Sequence, residues 1–206
     1  MGGLFTIGYS AFAVEEFISV LVRYRINAVI DVRSQPYASD YYACYNKESI
    51  QAMLKRSGIR YLNYAKEFGA RQTDLRYFSA EGYLDFELFS KSHGFLHGFN
   101  KLKKAMEERG YMIALMCAEK NPATCHRSIM VSRAFYDKGY EVSHILAGGS
   151  IEGQCDIEQQ LLEEYFPDRR QLKLFDQQST NELIVSAYKI QNAKIGYRIG
   201  GEGVHS

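Results

Sequence analysis

Apolar runs typical of β-strands alternate along this chain with segments in which hydrophobic residues recur at helical spacing. Short apolar runs of strand length occur at residues 4–7, 28–30, 59–64, 111–117 and 140–146. Segments with helical patterning occur at residues 14–22, 47–55, 83–89, 93–108, 124–138, 151–166 and 181–192. Because strands and helices alternate, we predict an α/β fold, a three-layer sandwich with a mainly parallel sheet of about five strands.

Polar side chains stand at or near the carboxyl ends of several predicted strands. In chain order they are Tyr9, Ser10, Asp31, Arg33, Cys117, Glu119 and His144. The carboxyl ends of parallel strands meet at one edge of a sheet, and ligands bind outside that edge. The sequence therefore predicts a functional site there.

The stretch that follows the fourth strand is the richest in reactive groups. Its chemically active side chains are Cys117, Glu119, Lys120, Cys125, His126 and Arg127. Asn121 followed by Pro122 suits a helix N-cap and a first helical position, which places Cys125 near a helix start. Free N–H groups and the helix dipole favour anions there and lower the pKa of a cysteine. Arg127 adds a planar fork of donors for a carboxylate or phosphate.

These residues also have structural interpretations, and the sequence leaves both readings open. A cysteine that ends a buried strand, such as Cys117, is usually a small hydrophobic residue. Glu119 and Lys120 have the alternative of a solvated pair in the loop. Asp31 and Arg33 share one face of a strand, so they form either an internal ion pair or an acid/base carboxylate beside an anion-binding arginine. His144 alternates with apolar residues, as a hydrogen-bonded core histidine does.

A metal site is a further alternative. Cys117, Cys125 and His126 are of the ligand types that zinc prefers. However, His126 directly follows Cys125, and neighbours on a helix face about 100° apart. His93 and His97 have metal-compatible helical spacing, but no glutamate follows the first of them as in the His-Glu-x-x-His pattern. The principal prediction therefore contains no metal ligand.

Composition narrows the class of protein. The chain has 206 residues, of which 46% are hydrophobic and 24% charged, as in one globular domain with or without an appendage. The net charge of +1 produces no global field that would gather nucleic acid. The four cysteines lack the spacing of a disulfide framework, and no apolar run approaches the ~20 residues of a membrane-spanning helix. Because the N-terminal residues also lack the pattern of a signal peptide, we expect a cytoplasmic protein that contacts no membrane.

Three motifs in order resemble the DUF488 family, a set of bacterial and archaeal proteins of uncharacterised function. They are Thr6-Ile-Gly-Tyr-Ser10, Asp31-Val-Arg-Ser-x-Pro36 and Cys117-Ala-Glu-Lys-x-Pro-x-x-Cys125-His-Arg127. The resemblance covers roughly residues 4 to 175 and implies an α/β domain with the polar motif residues clustered. We accordingly predict a DUF488-like domain over residues 1–175 and a C-terminal helical extension and tail over residues 176–206.

The sequence thus favours an enzyme that acts on an anionic, phosphate- or carboxylate-bearing substrate. The candidate catalytic residues are Cys125, Cys117, His126, Asp31 and Glu119. The candidate substrate-binding residues are Arg127, Arg33, Tyr9, Ser10, Lys120 and His144. The alternatives are a non-catalytic module that binds a nucleotide or nucleic acid, and a small metal-binding protein. The sequence identifies neither a cofactor nor an oligomeric state.

Overall fold

The computed structural model describes residues 2–37, 40–169 and 179–200. Its centre is one sheet, whose strands are β1 (Gly3–Gly8), β2 (Ala28–Asp31), β3 (Arg60–Asn63), β4 (Met112–Cys117), β5 (Val142–Ile145) and β6 (Ile151–Gly153). The strand order is β3-β2-β4-β1-β5-β6. All pairs are parallel except β5 with β6. The mainly parallel sheet is therefore confirmed.

Helices cover both faces of this sheet. They are α1 (Val14–Arg23), α2 (Lys47–Arg56), α3 (Ala65–Phe68), α4 (Phe86–Ser90), α5 (His93–Arg109), α6 (Arg127–Tyr136, of which Arg127–Ser132 is π-helical), α7 (Gln154–Tyr165) and α8 (Thr180–Ile195). The first core, on one face, contains the apolar stripes of α1 and α2, and the second core contains those of α5 to α8. The three-layer arrangement follows directly.

Strand β4 shows how the pleat divides the two cores. Ile113, Leu115 and Cys117 point into the second core, whereas Ala114 and Met116 point into the first. All five are almost fully buried. A strand buried on both faces reads as a continuous apolar run, which explains the pattern that predicted it.

Two predicted elements begin differently in the structure. Residues 151–166 were predicted as one helix, but Ile151–Gly153 pair with β5 as an antiparallel edge strand, and α7 begins at Gln154. The segment predicted to be helical from Thr124 is interrupted, because Cys125 is extended and the helix starts at Arg127. A three-residue strand shows no period, so the sequence does not separate it from the helix that follows.

The C-terminal helix α8 contributes to the second core. Its residues Ala187 and Tyr188 belong to this core together with apolar residues of α5 to α7. The predicted domain boundary at residue 175 lies outside the described residues, as do residues 201–206 of the predicted tail. Among the described residues, no helix combines the length and apolar character that a membrane crossing requires.

Candidate functional site

The loop after β4 is shaped by its own side chains. The Asn121 side chain accepts a hydrogen bond from the Ala123 backbone N–H (2.9 Å), and Pro122 begins a short 3-10 turn. This confirms the predicted cap and first helical position. The turn ends after three residues, and Cys125 follows in an extended conformation (φ −125°, ψ 136°).

The extended backbone at Cys125 decides which side chains meet. Consecutive side chains face about 100° apart in a helix, but Cys125 precedes the helix. As a result, one donor atom each from Cys117, Glu119, Cys125 and His126 lies within 4.8 Å of all the others. Both sulfurs and the imidazole are buried, while Glu119 is half-buried.

The imidazole of His126 points one nitrogen at the two sulfurs. Its Nδ1 lies 3.8 Å from Sγ of Cys117 and 4.0 Å from Sγ of Cys125. Its Nε2 lies 3.0 Å from the backbone oxygen of Val32, to which it donates. When the ring is neutral, its single N–H is held by Val32, and the lone pair of Nδ1 faces the sulfurs.

Glu119 completes the cluster from the loop. The Cys125 thiol donates a hydrogen bond to Oε2 of Glu119 at 2.8 Å. Because Glu119 is the most exposed of the four residues, it is the member of the cluster that reaches toward solvent.

Arg127 fastens this loop to the sheet. Its fully buried guanidinium donates to the backbone oxygens of Glu119 (2.6 Å) and Lys120 (3.4 Å), and its Nε donates to Oγ1 of Thr6 (3.3 Å). Within the described part of the chain, no carboxylate forms an ion pair with Arg127. Its backbone N–H also donates to Sγ of Cys125 (3.4 Å). The positive charge therefore lies beside the thiol cluster.

The cluster is electrostatically coupled. Burial opposes a thiolate at Cys125, but hydrogen bonding from Cys117 and the charges of Arg127 and His126 hold the Cys125 pKa well below its usual value. Burial also opposes an imidazolium, yet the hydrogen bond and charge of Cys125 raise the pKa of His126 to about 9. Burial and the Cys125 charge raise the pKa of Glu119, while burial raises that of Cys117. A thiolate–imidazolium pair is thus favoured at Cys125 and His126, and in that state a protonated Glu119 is the donor in its contact with Cys125.

Asp31 and Arg33 form a buried ion pair on either side of Val32, whose backbone oxygen accepts the hydrogen bond of His126. The Nε and Nη2 atoms of Arg33 donate to the two oxygens of Asp31 at 2.9 and 2.6 Å. Tyr61 of β3 donates a further hydrogen bond to Asp31 (2.6 Å), and Arg33 Nη2 reaches the backbone oxygen of Tyr45 (2.9 Å). This is the structural alternative considered for the pair. Asp31 is fully buried, and its two oxygens accept all of these hydrogen bonds except the one to Tyr45.

Three further predicted site residues, Tyr9, Ser10 and Lys120, lie in the segments that follow β1 and β4. Tyr9 lies against the Arg33 guanidinium, whose Cζ is 5.0 Å from the Tyr9 ring centroid. Ser10 donates its backbone N–H to the Ala118 oxygen (3.2 Å), so it holds the loop by its main chain. Lys120 is exposed.

His144 occupies the core and not the cluster. Its Nδ1 lies 2.8 Å from Oγ1 of Thr6, and its Nε2 lies 2.9 Å from Oε1 of Gln154. Burial, with a contribution from the Arg127 charge, lowers its pKa to about 4. His144 therefore matches the alternative of a hydrogen-bonded core histidine, and Thr6 connects it to Arg127 by hydrogen bonds.

Several groups that form hydrogen bonds with the predicted site residues were not identified from the sequence. They are Thr6, Tyr61, Gln154 and the backbone oxygen of Val32. Tyr61 had one usable signal, since it lies on the strand that pairs with β2 and alternates with exposed residues. A backbone acceptor such as the Val32 oxygen leaves no trace in residue identity.

Comparison with known proteins gives one result that bears on identity. The family model described as "Domain of unknown function DUF488" matches residues 13–134, more than half of the chain. The matched range includes the second and third motifs, while Thr6–Ser10 precedes it. No curated protein and no solved structure matches the chain. The chain therefore belongs to the DUF488 family.

Proposed function

We propose that this protein is a metal-dependent enzyme whose centre is formed by Cys117, Cys125 and His126. Glu119 is the fourth, exchangeable group. The observation that carries the proposal is the convergence of four donor atoms within 4.8 Å of one another at the end of β4.

The spacing of the donor atoms supports a tetrahedral ion. With ion–sulfur and ion–nitrogen bonds of about 2.3 and 2.1 Å, a sulfur and a nitrogen on one tetrahedral ion lie about 3.6 Å apart. The His126 nitrogen lies 3.8 and 4.0 Å from the two sulfurs, so shifts of a few tenths of an ångström suffice. The softness of two thiolates and an imidazole favours zinc over magnesium or calcium.

The surroundings of His126 support the same proposal. A metal-binding histidine usually donates its other ring N–H to a carboxylate or backbone carbonyl, which fixes the ring and its tautomer. The 3.0 Å contact between Nε2 and the Val32 oxygen has this form. Because Val32 immediately follows β2, the sheet itself orients the ligand.

The charge of the cluster also suits a divalent cation. Two thiolates balance a divalent ion, and the Glu119 carboxylate adds one negative charge that the buried Arg127 offsets. Without such anions beside it, a guanidinium at zero exposure and without an ion-pair partner among the described residues carries a high desolvation cost.

The fourth group distinguishes an enzyme from a structural metal site. Closed structural zinc sites use four cysteine or histidine ligands, whereas catalytic sites keep one exchangeable position. Oε2 of Glu119 lies 2.8 Å from Sγ of Cys125, closer than the ~3.6 Å expected for two ligands of one ion, so the carboxylate must withdraw when the ion binds. The ion would supply Lewis acidity, and Glu119 stands where it can accept a proton from a bound water.

The first test is the metal content of purified protein, prepared without chelator. We expect about one equivalent of divalent metal per chain, and its loss in Cys117→Ser and Cys125→Ser. Cys155→Ser is the matched control, because Cys155 is exposed and lies outside the cluster. Metal-free protein that also takes up no zinc after reduction would overturn the proposal.

A second candidate is a thiolate enzyme with Cys125 as nucleophile and His126 as the proton carrier. The lowered pKa of Cys125 favours it, although the side chain is only 1% exposed. Alkylation by iodoacetamide separates the two. For the metal centre we expect added zinc to protect Cys117 and Cys125, while Cys155 continues to react. Alkylation of Cys125 at the same rate with and without zinc would favour the nucleophile.

A further inference from the structure

One nitrogen of the Arg33 side chain has no hydrogen-bond partner among the described residues, although it is buried. Arg33 is 5% exposed, and its Nε and Nη2 atoms are occupied by Asp31 and the Tyr45 backbone oxygen. Nη1 makes no such contact. A buried, unsatisfied donor of a charged group costs free energy, so its presence calls for a ligand or water that the protein itself does not supply.

Arg33 belongs to the segment after β2 that contacts the thiol cluster. Arg33 follows Val32, whose backbone oxygen accepts the hydrogen bond from His126. The ring of Tyr9 lies over the guanidinium, and Tyr9 directly follows Gly8, which pairs with Cys117 in the sheet. Tyr9 therefore connects the arginine with the cluster.

The planar geometry of the Arg33 guanidinium determines what Nη1 can bind. In a planar guanidinium that uses Nε and Nη2 on one carboxylate, Nη1 lies on the opposite edge and keeps its own N–H groups. The guanidinium plane of Arg33 is held in place, because Asp31 accepts two hydrogen bonds from it and the Tyr9 ring lies against it. A fixed donor edge of this kind suits an oxygen of a carboxylate or phosphate.

We propose that Nη1 of Arg33, together with Tyr9, forms an oxyanion subsite that holds a carboxylate or phosphate group of the substrate beside the metal centre. The assignment of this group to the substrate rests on the proposed function. The bound ion also matters electrostatically, since two thiolates and Glu119 without a cation would repel a nearby anionic substrate.

The test is isothermal titration calorimetry of zinc-loaded protein with inorganic phosphate and, separately, with acetate. We expect one of the two anions to bind, which identifies the kind of oxyanion, and Arg33→Lys to weaken that binding at least tenfold. Lysine keeps a positive charge next to Asp31 but lacks the second edge of the fork. Tyr9→Phe is the milder variant, expected to weaken binding several-fold, and it serves if Arg33→Lys does not fold.

The chain offers a matched control in Arg76→Lys. Arg76 and Asp74 form the same two-residue-spaced bidentate pair, with contacts of 3.0 and 2.6 Å, but both are at the surface and outside the cluster. The affinity of the Arg76→Lys protein for either anion should stay within twofold of that of the unsubstituted protein.

Metal content measured on the same samples keeps the two proposals apart. Zinc-loaded protein that binds neither anion, or binds one equally well in Arg33→Lys, overturns the subsite and leaves the metal centre standing. Protein without metal that still binds an anion through Arg33 overturns the proposed function and supports the subsite as an anion site in its own right.

Discussion

At the scale of single residues, the site depends on the backbone conformation of Cys125. The residue types of the cluster are evident from the sequence, but two neighbouring ligands at Cys125 and His126 are disfavoured only if both residues are helical. The short turn that begins at Pro122 ends before Cys125, which is extended. Residue identity does not specify where a three-residue turn ends, so the convergence of the two side chains could not be predicted.

Asp31 and Arg33 show the opposite case. Their spacing predicted that they share a face, and the structure pairs them at 2.6 Å. What the spacing could not reveal is that one nitrogen of Arg33 finds no hydrogen-bond partner in the described part of the chain, because the groups around the guanidinium, such as Tyr45 and Tyr9, come from other segments.

The buried His144 gives a prediction about pH and stability. Its pKa of about 4 in the folded protein lies below the ordinary value of about 6.5 expected when unfolded. The unfolded state therefore binds an extra proton between these values. The stabilising contribution of neutral His144 is complete above pH 6.5 and is lost as the pH falls towards 4. We expect a loss of about 3 kcal/mol in the free energy of unfolding from this group.

Urea denaturation at several pH values measures this effect. His144→Gln should be less stable overall, but its free energy of unfolding should fall less steeply between pH 6.5 and 4. His93→Gln, which changes an exposed histidine on α5, should keep the original slope. Equal slopes for all three proteins would show that His144 titrates normally in the folded state.

At the scale of elements, the end of β1 and the loop after β4 fit closely together. Gly8 is the last residue of β1 and pairs with Cys117. A Cβ built on Gly8 would lie 1.9 Å from the backbone oxygen of Glu119, which is the oxygen that Arg127 holds. The glycine is required for this approach and not for its backbone angles, since its φ is −102°.

Gly8→Ala should therefore displace the Glu119 segment. We expect destabilisation of about 1–3 kcal/mol, as for other overpacked sites, together with weaker zinc binding. Gly94→Ala makes the same chemical change in α5 with nothing within 4 Å, and it should leave stability unchanged or slightly raised. Denaturation and zinc titration of both variants provide the measurement. Normal zinc affinity in Gly8→Ala would mean that the loop position does not control the centre.

At the scale of the whole molecule, hydrophobic periodicity was enough to identify the α/β class and the five strands that carry the parallel pairing. It could not supply the order of the strands, because each apolar run has the same pattern whether it lies at the centre or near an edge. In the structure, β4 lies between β2 and β1. This neighbourhood brings the three family motifs to one edge of the sheet, so strand order positions the site.

The most direct measurement of the central claim is the absorption spectrum of protein loaded with cobalt(II) in place of zinc. If Cys117, Cys125 and His126 bind a tetrahedral cobalt ion, we expect intense visible bands and a thiolate-to-cobalt charge-transfer band in this spectrum. The charge-transfer band should disappear in Cys117→Ser and in Cys125→Ser, because both variants should lose the metal, and it should stay unchanged in Cys155→Ser. Weak bands of an octahedral ion, with no charge transfer from sulfur, would contradict the proposed centre.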